Sequence, residues 1–273
     1  MRNAVVRNIR PVSATLLAVL TSCVLCLMTA TSAAAQDAPS EEALAQANNP
    51  LANAYAINLQ NYYSGSLYGI PDQSTNTFWA RAGIPIGRTL TRASLPLATR
   101  PTSSTDSQSG LGDFNIFTAY LFVSNPTTSV GVGPLVVAPT ASDESLGQGK
   151  WQLGAAAVAF KATPTVQVGG LLTWQASVGG DSDRPSTSLG AVQPFVIWQI
   201  GGGTYLRSTG IWTFDLKSGD YSVPLGFGLG RVIKSDKAVY NLWLEPQFTL
   251  LHDGTGQPKV QLMAGMNIQL VKY

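Results

Sequence analysis

Apolar and polar residues alternate through most of this 273-residue chain, in short segments separated by turn-forming residues. The last segment is the cleanest. Val260, Leu262, Ala264, Met266, Ile268 and Leu270 share one face, and Gln261, Met263, Gly265, Asn267 and Gln269 share the other. A period of two is a strand with unlike faces. In the same way Val166, Val168, Leu172 and Trp174 oppose Gln167, Gly169, Thr173 and Gln175. Tyr240, Leu242, Leu244, Phe248 and Leu250 oppose Asn241, Glu245, Gln247 and Thr249, and Val223, Leu225, Phe227 and Leu229 oppose Ser222, Gly226, Gly228 and Gly230. The pattern predicts twelve strands, over roughly 52–63, 74–84, 88–98, 111–122, 129–139, 151–161, 165–178, 187–199, 204–215, 221–233, 238–251 and 258–270.

The connections alternate too. SGSLYGIPDQ is followed by the tight IPIG, TRPTSSTDSQSG by SNPT, and TASDESLGQGK by ATP; GGDSDRPS precedes QIGGG, and LKSGD precedes KSDK. Long loops at one end and tight turns at the other are the mark of an up-and-down barrel in the bacterial outer membrane, with both termini in the periplasm when the strand number is even. The fold class expected is therefore all-β, a transmembrane antiparallel barrel of about twelve strands, with the apolar faces toward lipid and the polar or glycine faces toward the lumen. A soluble β-sandwich is the alternative, and it has no reason to alternate its loop lengths. Aromatic residues near strand ends (Tyr62, Tyr63, Phe78, Trp79, Trp151, Trp174, Trp198, Trp212 and Phe214) fit belts at the headgroup level.

The N-terminus changes the accounting. Arg2, Arg7 and Arg10 precede the apolar stretch Ala14–Ala30, and Ala33-Ala34-Ala35 offers a cleavage site, so residues 1–35 read as a secretory signal. Leu20-Thr21-Ser22-Cys23 also resembles a lipoprotein box, but the apolar run continues past it. Removal of residues 1–35 takes away three basic residues and both cysteines, Cys23 and Cys26, leaving 14 basic against 15 acidic residues. No thiol chemistry and no basic patch for nucleic acid then remains. Residues 36–51 form a periplasmic lead with a helical look around Glu41–Gln46, ended by Pro50, and 52–273 the barrel. After the signal no apolar run approaches the roughly 18 residues of a spanning helix. Charged residues make up only 12% of the chain, against about 25% in soluble domains.

The stretch GVGPLVVAPTASDESLGQGKWQLGAAAVAF, residues 131–160, resembles the segment GVGPxxxxPTAxDxxLGxGKWxxGPxAV of a bacterial outer-membrane family related to the MetA pathway of phenol degradation, whose members often carry the labels "neuromedin U" or transporter. NPLANAYAINLQN, the QPF at residues 193–195 and YSVPLGFGLGRV add to the likeness. Ala155-Ala156 stands where the family has Gly-Pro. The resemblance implies an outer-membrane barrel that passes small molecules, hydrophobic or aromatic ones among them.

A charge facing hydrocarbon near the bilayer midplane costs about 2–4 kcal/mol, so mid-strand charges belong in the lumen. Arg81, Arg92, Arg207, Glu245 and, beside it, Gln247 are the candidates for a solute-selecting lining, or for a network that stiffens a narrow barrel. Asp143, Glu144, Gly147, Gly149 and Lys150, in the loop Pro139–Trp151, are candidates for a gate at the mouth or for a well-capped turn. Asp181-Ser182-Asp183 lacks the glycine and glutamate of a calcium loop. His252, the one histidine, sits beside Asp253-Gly254, with no G-x-S-x-G elbow to serve. No catalytic residue, metal site or cofactor is expected. The expected partners are outer-membrane lipid and lipopolysaccharide, the barrel-assembly machinery and a small-molecule solute. The function expected is a passive channel, with a plugged structural or surface-interaction barrel and an outer-membrane enzyme as alternatives.

Overall fold

The computed structural model describes Asn48, residues 54–235 and residues 237–270. The signal, its cleavage site, the lipoprotein box, most of the lead and the last three residues lie outside the described residues. Fifteen strand segments are present: β1 (Ala56–Leu67), β2 (Thr75–Ile86), β3 (Thr89–Pro101), β4 (Ser107–Leu111), β5 (Phe114–Ser124), β6 (Thr128–Ala138), β7 (Lys150–Ala162), β8 (Val166–Gly180), β9 (Ser188–Gly201), β10 (Thr204–Ser208), β11 (Trp212–Asp215), β12 (Tyr221–Gly226), β13 (Gly228–Lys234), β14 (Ala238–Asp253) and β15 (Pro258–Leu270). β4 and β5 both pair with β3, β10 and β11 with β9, and β12 and β13 with β14. Each of these three couples is one interrupted stave, so the segments make twelve staves. All neighbours are antiparallel, and β1 closes the circle on β15, with Asn58 opposite Asn267 and Gln60 opposite Gly265. The expected closed barrel of twelve strands is the fold observed.

Proline explains the interruptions, which the alternation pattern does not show. Gly112, between β4 and β5, donates to the Pro96 carbonyl at 2.9 Å, but Pro96 has no N–H to return. Thr140 fills in: its Oγ1 donates to the Gly112 carbonyl at 3.2 Å and accepts from the Phe114 N–H at 2.8 Å. Continuing the registers, Ile211 lies opposite Pro224 and Gly210 opposite Pro194, which breaks the stave between β10 and β11. Phe227 faces Pro246, to whose carbonyl its N–H donates at 3.1 Å, and there β12 ends and β13 begins.

One end of the barrel carries tight turns, such as Gly87-Arg88 and Gly202-Gly203; the three glycines have positive φ, 58°, 59° and 75°. The other carries the longer loops, and the described N-terminal residues enter at the turn end. The outer surface is apolar. Val132, Leu153, Val168, Leu172, Val196, Leu206, Leu229, Phe248 and Val260 are all exposed there, a contiguous oily belt that no water-soluble surface carries. Tyr120, Phe122 and Trp198 ring the turn end, and Trp151 and Trp174 the loop end. Tyr62 and Trp79 do not belong to these belts. They face inward, where Tyr62 packs with Trp243 and Met263, and Trp79 lies against this group. Outward charges on the staves, Lys161 and Arg231, sit near the turn end, where a long side chain reaches the headgroups.

Candidate functional site: the lumen

The barrel interior has two unlike walls. On β14, the inward residues are Asn241, Trp243, Glu245 and Gln247, as the period of two requires. Glu245 is wholly buried. Its carboxylate accepts from Arg207 Nε at 2.8 Å, from the Thr209 N–H at 2.8 Å, from Thr209 Oγ1 at 2.7 Å and from Gln247 Nε2 at 3.0 Å. Gln247 in turn accepts from Gln261 Nε2 at 2.9 Å, and Arg207 Nη2 donates to Thr209 Oγ1 at 2.7 Å. The Arg207 guanidinium also lies 4.5 Å from the Trp243 ring centre. The proline-broken stave matters here: Thr209 lies in the gap between β10 and β11, so its N–H is free to serve the carboxylate.

The glycine stripe on β12 and β13 makes room for this group. A Cβ on Gly226 would stand 2.0 Å from Glu245 Oε1, one on Gly228 2.7 Å from Glu245 Cβ, and one on Gly230 2.1 Å from the Tyr205 ring. The side chains that fill the space come from the adjoining strands β10 and β14 rather than from across the barrel. Tyr205 donates its hydroxyl hydrogen bond to Asn241 Oδ1, and Asn241 Nδ2 donates to Asn48 Oδ1 at 2.6 Å. Asn48, from the lead, thus reaches inside the turn end of the barrel.

Arg81 and Arg92 stand apart from this network. Both face inward on adjacent strands, Arg81 opposite Ser94 and Arg92 opposite Gly83. Arg81 donates from Nη1 to Gln60 Oε1 and lies 4.7 Å from the Trp79 ring centre. Arg92 lies 4.6 Å from the Phe117 ring centre. The Nε of each is buried with no hydrogen-bond partner, and among the described residues neither pairs with a carboxylate. Arg92 is directly opposite Phe117 in the ladder, and beside it an apolar wall runs from β3 to β9, with Leu90, Phe117, Leu135, Val158, Phe160 and Phe195 packed together. A cavity of about 190 Å³ lies in the lumen, touched by Arg81, Arg92 and Arg207, by the apolar Leu90, Phe117, Leu171 and Phe195, and by amides that include Asn58, Gln60, Gln193 and Asn267.

The loop candidates occupy a different place. Asp143 caps a short helical turn, Glu144–Leu146, by accepting from the Ser145 N–H at 2.9 Å and Ser145 Oγ at 2.7 Å; these bonds hold its carboxyl below the usual carboxylate range. Asp113 Oδ2 accepts from the Gln148 N–H at 2.7 Å, and Arg184 donates to the Glu144 and Gly147 carbonyls at 2.9 and 2.6 Å. Gly149 has φ +67°, which suits glycine, and Lys150 donates to the Asp181 carbonyl. Asp143, Glu144, Gly147 and Gly149 line a small recess at the loop end, and none of the five loop candidates touches the lumen cavity. Asp181 is spent on its own turn, accepting from the Asp183 N–H at 2.9 Å, and no group of metal-ligating side chains occurs among the described residues. His252 stacks on Tyr68, ring centres 3.4 Å apart.

No protein-family model matches the chain, and no curated protein matches it. Solved structures do. An outer-membrane channel from Pseudomonas putida F1 superposes with TM-score 0.58 at 14% identity, over 86% of this chain and 100% of that one. The NanC porin superposes with TM-score 0.51 at 10% identity, over 80% of this chain and 100% of that one. The fold is that of an outer-membrane barrel. At such identities the likeness carries architecture only. The barrel has porin-like form.

The sequence places Arg81, Arg92, Arg207, Glu245 and Gln247 on the inward phase, and all five are found there. Their division into a closed network and two unpaired arginines is visible only in three dimensions. The apolar lumen wall was missed. Its signal is present: segments such as FNIFTAYLFV and GAAAVAFKA carry apolar residues on both phases, as strands buried on both faces do.

Proposed function

We propose that this barrel is a passive channel for small molecules, that it is a divergent member of the outer-membrane family related to the MetA pathway of phenol degradation, and that both termini lie in the periplasm. The observation that carries the channel reading is the lumen cavity, in which cations without a carboxylate partner stand beside apolar side chains along the barrel interior. A barrel serving only as a wall anchor has no use for cations kept from counter-ions in its lumen. The periplasmic placement of the termini rests on the tight turns sharing their end. In this reading the Glu245 network fixes the wall, Arg81 and Arg92 set the field that a solute meets, and the loop around Asp143 is a fixed rim.

The test is electrical. Residues 36–273, refolded into planar bilayers, are expected to give discrete conductance steps with a preference for anions, and Arg81→Ala is expected to lower that preference at least twofold. A barrel that neither conducts nor swells liposomes contradicts the channel. An R81A barrel with unchanged conductance and ion preference returns Arg81 to a structural role.

A further inference from the structure

We infer that the lumen cavity is a binding site for small monocarboxylates with a ring-sized apolar body, the carboxylate held by Arg81 and Arg92 and the ring by Leu90, Phe117, Leu171 and Phe195. This deepens the channel reading and rests on it for its physiological meaning. The site itself stands on three observations. First, the charge is uncompensated. Glu245 is taken up by Arg207, Thr209 and Gln247, so its charge is balanced within its own network. Arg81 and Arg92 have no acidic partner among the described residues, and both keep a buried Nε without an acceptor.

Second, the two arginines are diagonal neighbours on the inner face, Arg81 reaching Gln60 on β1 and Arg92 lying over Phe117 on β5, and the cavity touches both. Arg81 stands opposite Ser94, two residues from Arg92 on the same inner face, a diagonal whose Cα atoms are about 7–8 Å apart. Gly83, opposite Arg92, leaves the space beside it free of a side chain. Planar guanidinium forks match the two oxygens of a carboxylate better than they match a halide, because each oxygen can take a separate N–H.

Third, one stretch of the cavity lining suits an apolar body rather than a hydrated inorganic ion. The wall beside Arg92 is aliphatic and aromatic, and water against it gains few hydrogen bonds. The volume, about 190 Å³, exceeds the roughly 150 Å³ in which an apolar cavity holds benzene. It is below the roughly 300 Å³ where sites for drug-sized ligands begin. One ring and one carboxylate fit these limits.

Equilibrium dialysis of residues 36–273, folded in detergent, against benzoate, benzyl alcohol and acetate tests this. Benzoate is expected to bind at least tenfold more tightly than either alternative, since each lacks one half of the match. The double variant R81Q/R92Q is expected to lose at least tenfold for benzoate while binding benzyl alcohol as before, and R81K/R92K to keep part of the benzoate affinity. Equal binding of benzoate and benzyl alcohol, or no binding of benzoate, overturns the site without any variant. A conducting barrel indifferent to benzoate overturns this inference and leaves the channel standing. A benzoate-binding barrel that does not conduct overturns the channel and leaves the site.

Discussion

Glu245 is a carboxylate with no solvent exposure, and four donors within 3.0 Å make that tenable. Removing one partner of a buried charge pair leaves the other uncompensated, a loss of about 3–5 kcal/mol. Glu245→Ala is therefore expected to lower the unfolding free energy by about that much in a denaturant titration of the detergent-folded barrel. Glu245→Gln, which keeps the acceptor oxygen for Thr209, is expected to cost less. A penalty under about 1 kcal/mol for the alanine variant would mean that the pair is as weak as an exposed one. At this scale much is legible in the sequence, because a strand's period of two assigns each charge to a face. The partners are not legible. That Gly226, Gly228 and Gly230 exist to admit Glu245 and Tyr205 depends on which strands become neighbours. The same holds for Tyr62 and Trp79, whose residue types fit a headgroup belt and whose phase puts them inside.

Among the elements, the twelve predicted segments match the twelve staves to within a few residues, since turn residues and alternation both mark their ends. The breaks inside three staves are not marked in the strands that break. They arise from proline on the neighbour, so the cause lies outside the segment that breaks. Thr140 shows how a break is sealed, its hydroxyl serving the Gly112 carbonyl that Pro96 cannot reach and the Phe114 N–H beyond it. Thr140→Val keeps the shape and deletes the hydroxyl, leaving a backbone N–H and a carbonyl unsatisfied at a cost of about 1–3 kcal/mol. Amide exchange at Phe114 is expected to accelerate at least tenfold in this variant, with the staves opposite unchanged. Exchange at the wild-type rate would show that the hydroxyl bonds contribute nothing to closing the wall.

For the molecule as a whole, closure follows from two facts: every stave has two partners, and the outer surface is apolar from Val132 around to Val260. In hydrocarbon an unpaired strand edge leaves backbone groups without water, so the sheet has to meet itself. This level was legible from the loop-length alternation alone. The two-walled lumen was not, because an apolar phase pointing inward looks like one more lipid-facing strand until its neighbours are known. The most direct test places single cysteines along β8, using the cysteine-free background that residues 36–273 provide. Spin labels at positions 171, 173 and 175 are predicted to meet a water-soluble relaxant, and labels at 168, 172 and 174 to meet oxygen dissolved in lipid. Uniform access to the aqueous reagent along the strand, or the two phases exchanged, would contradict a barrel with its oily face in the membrane.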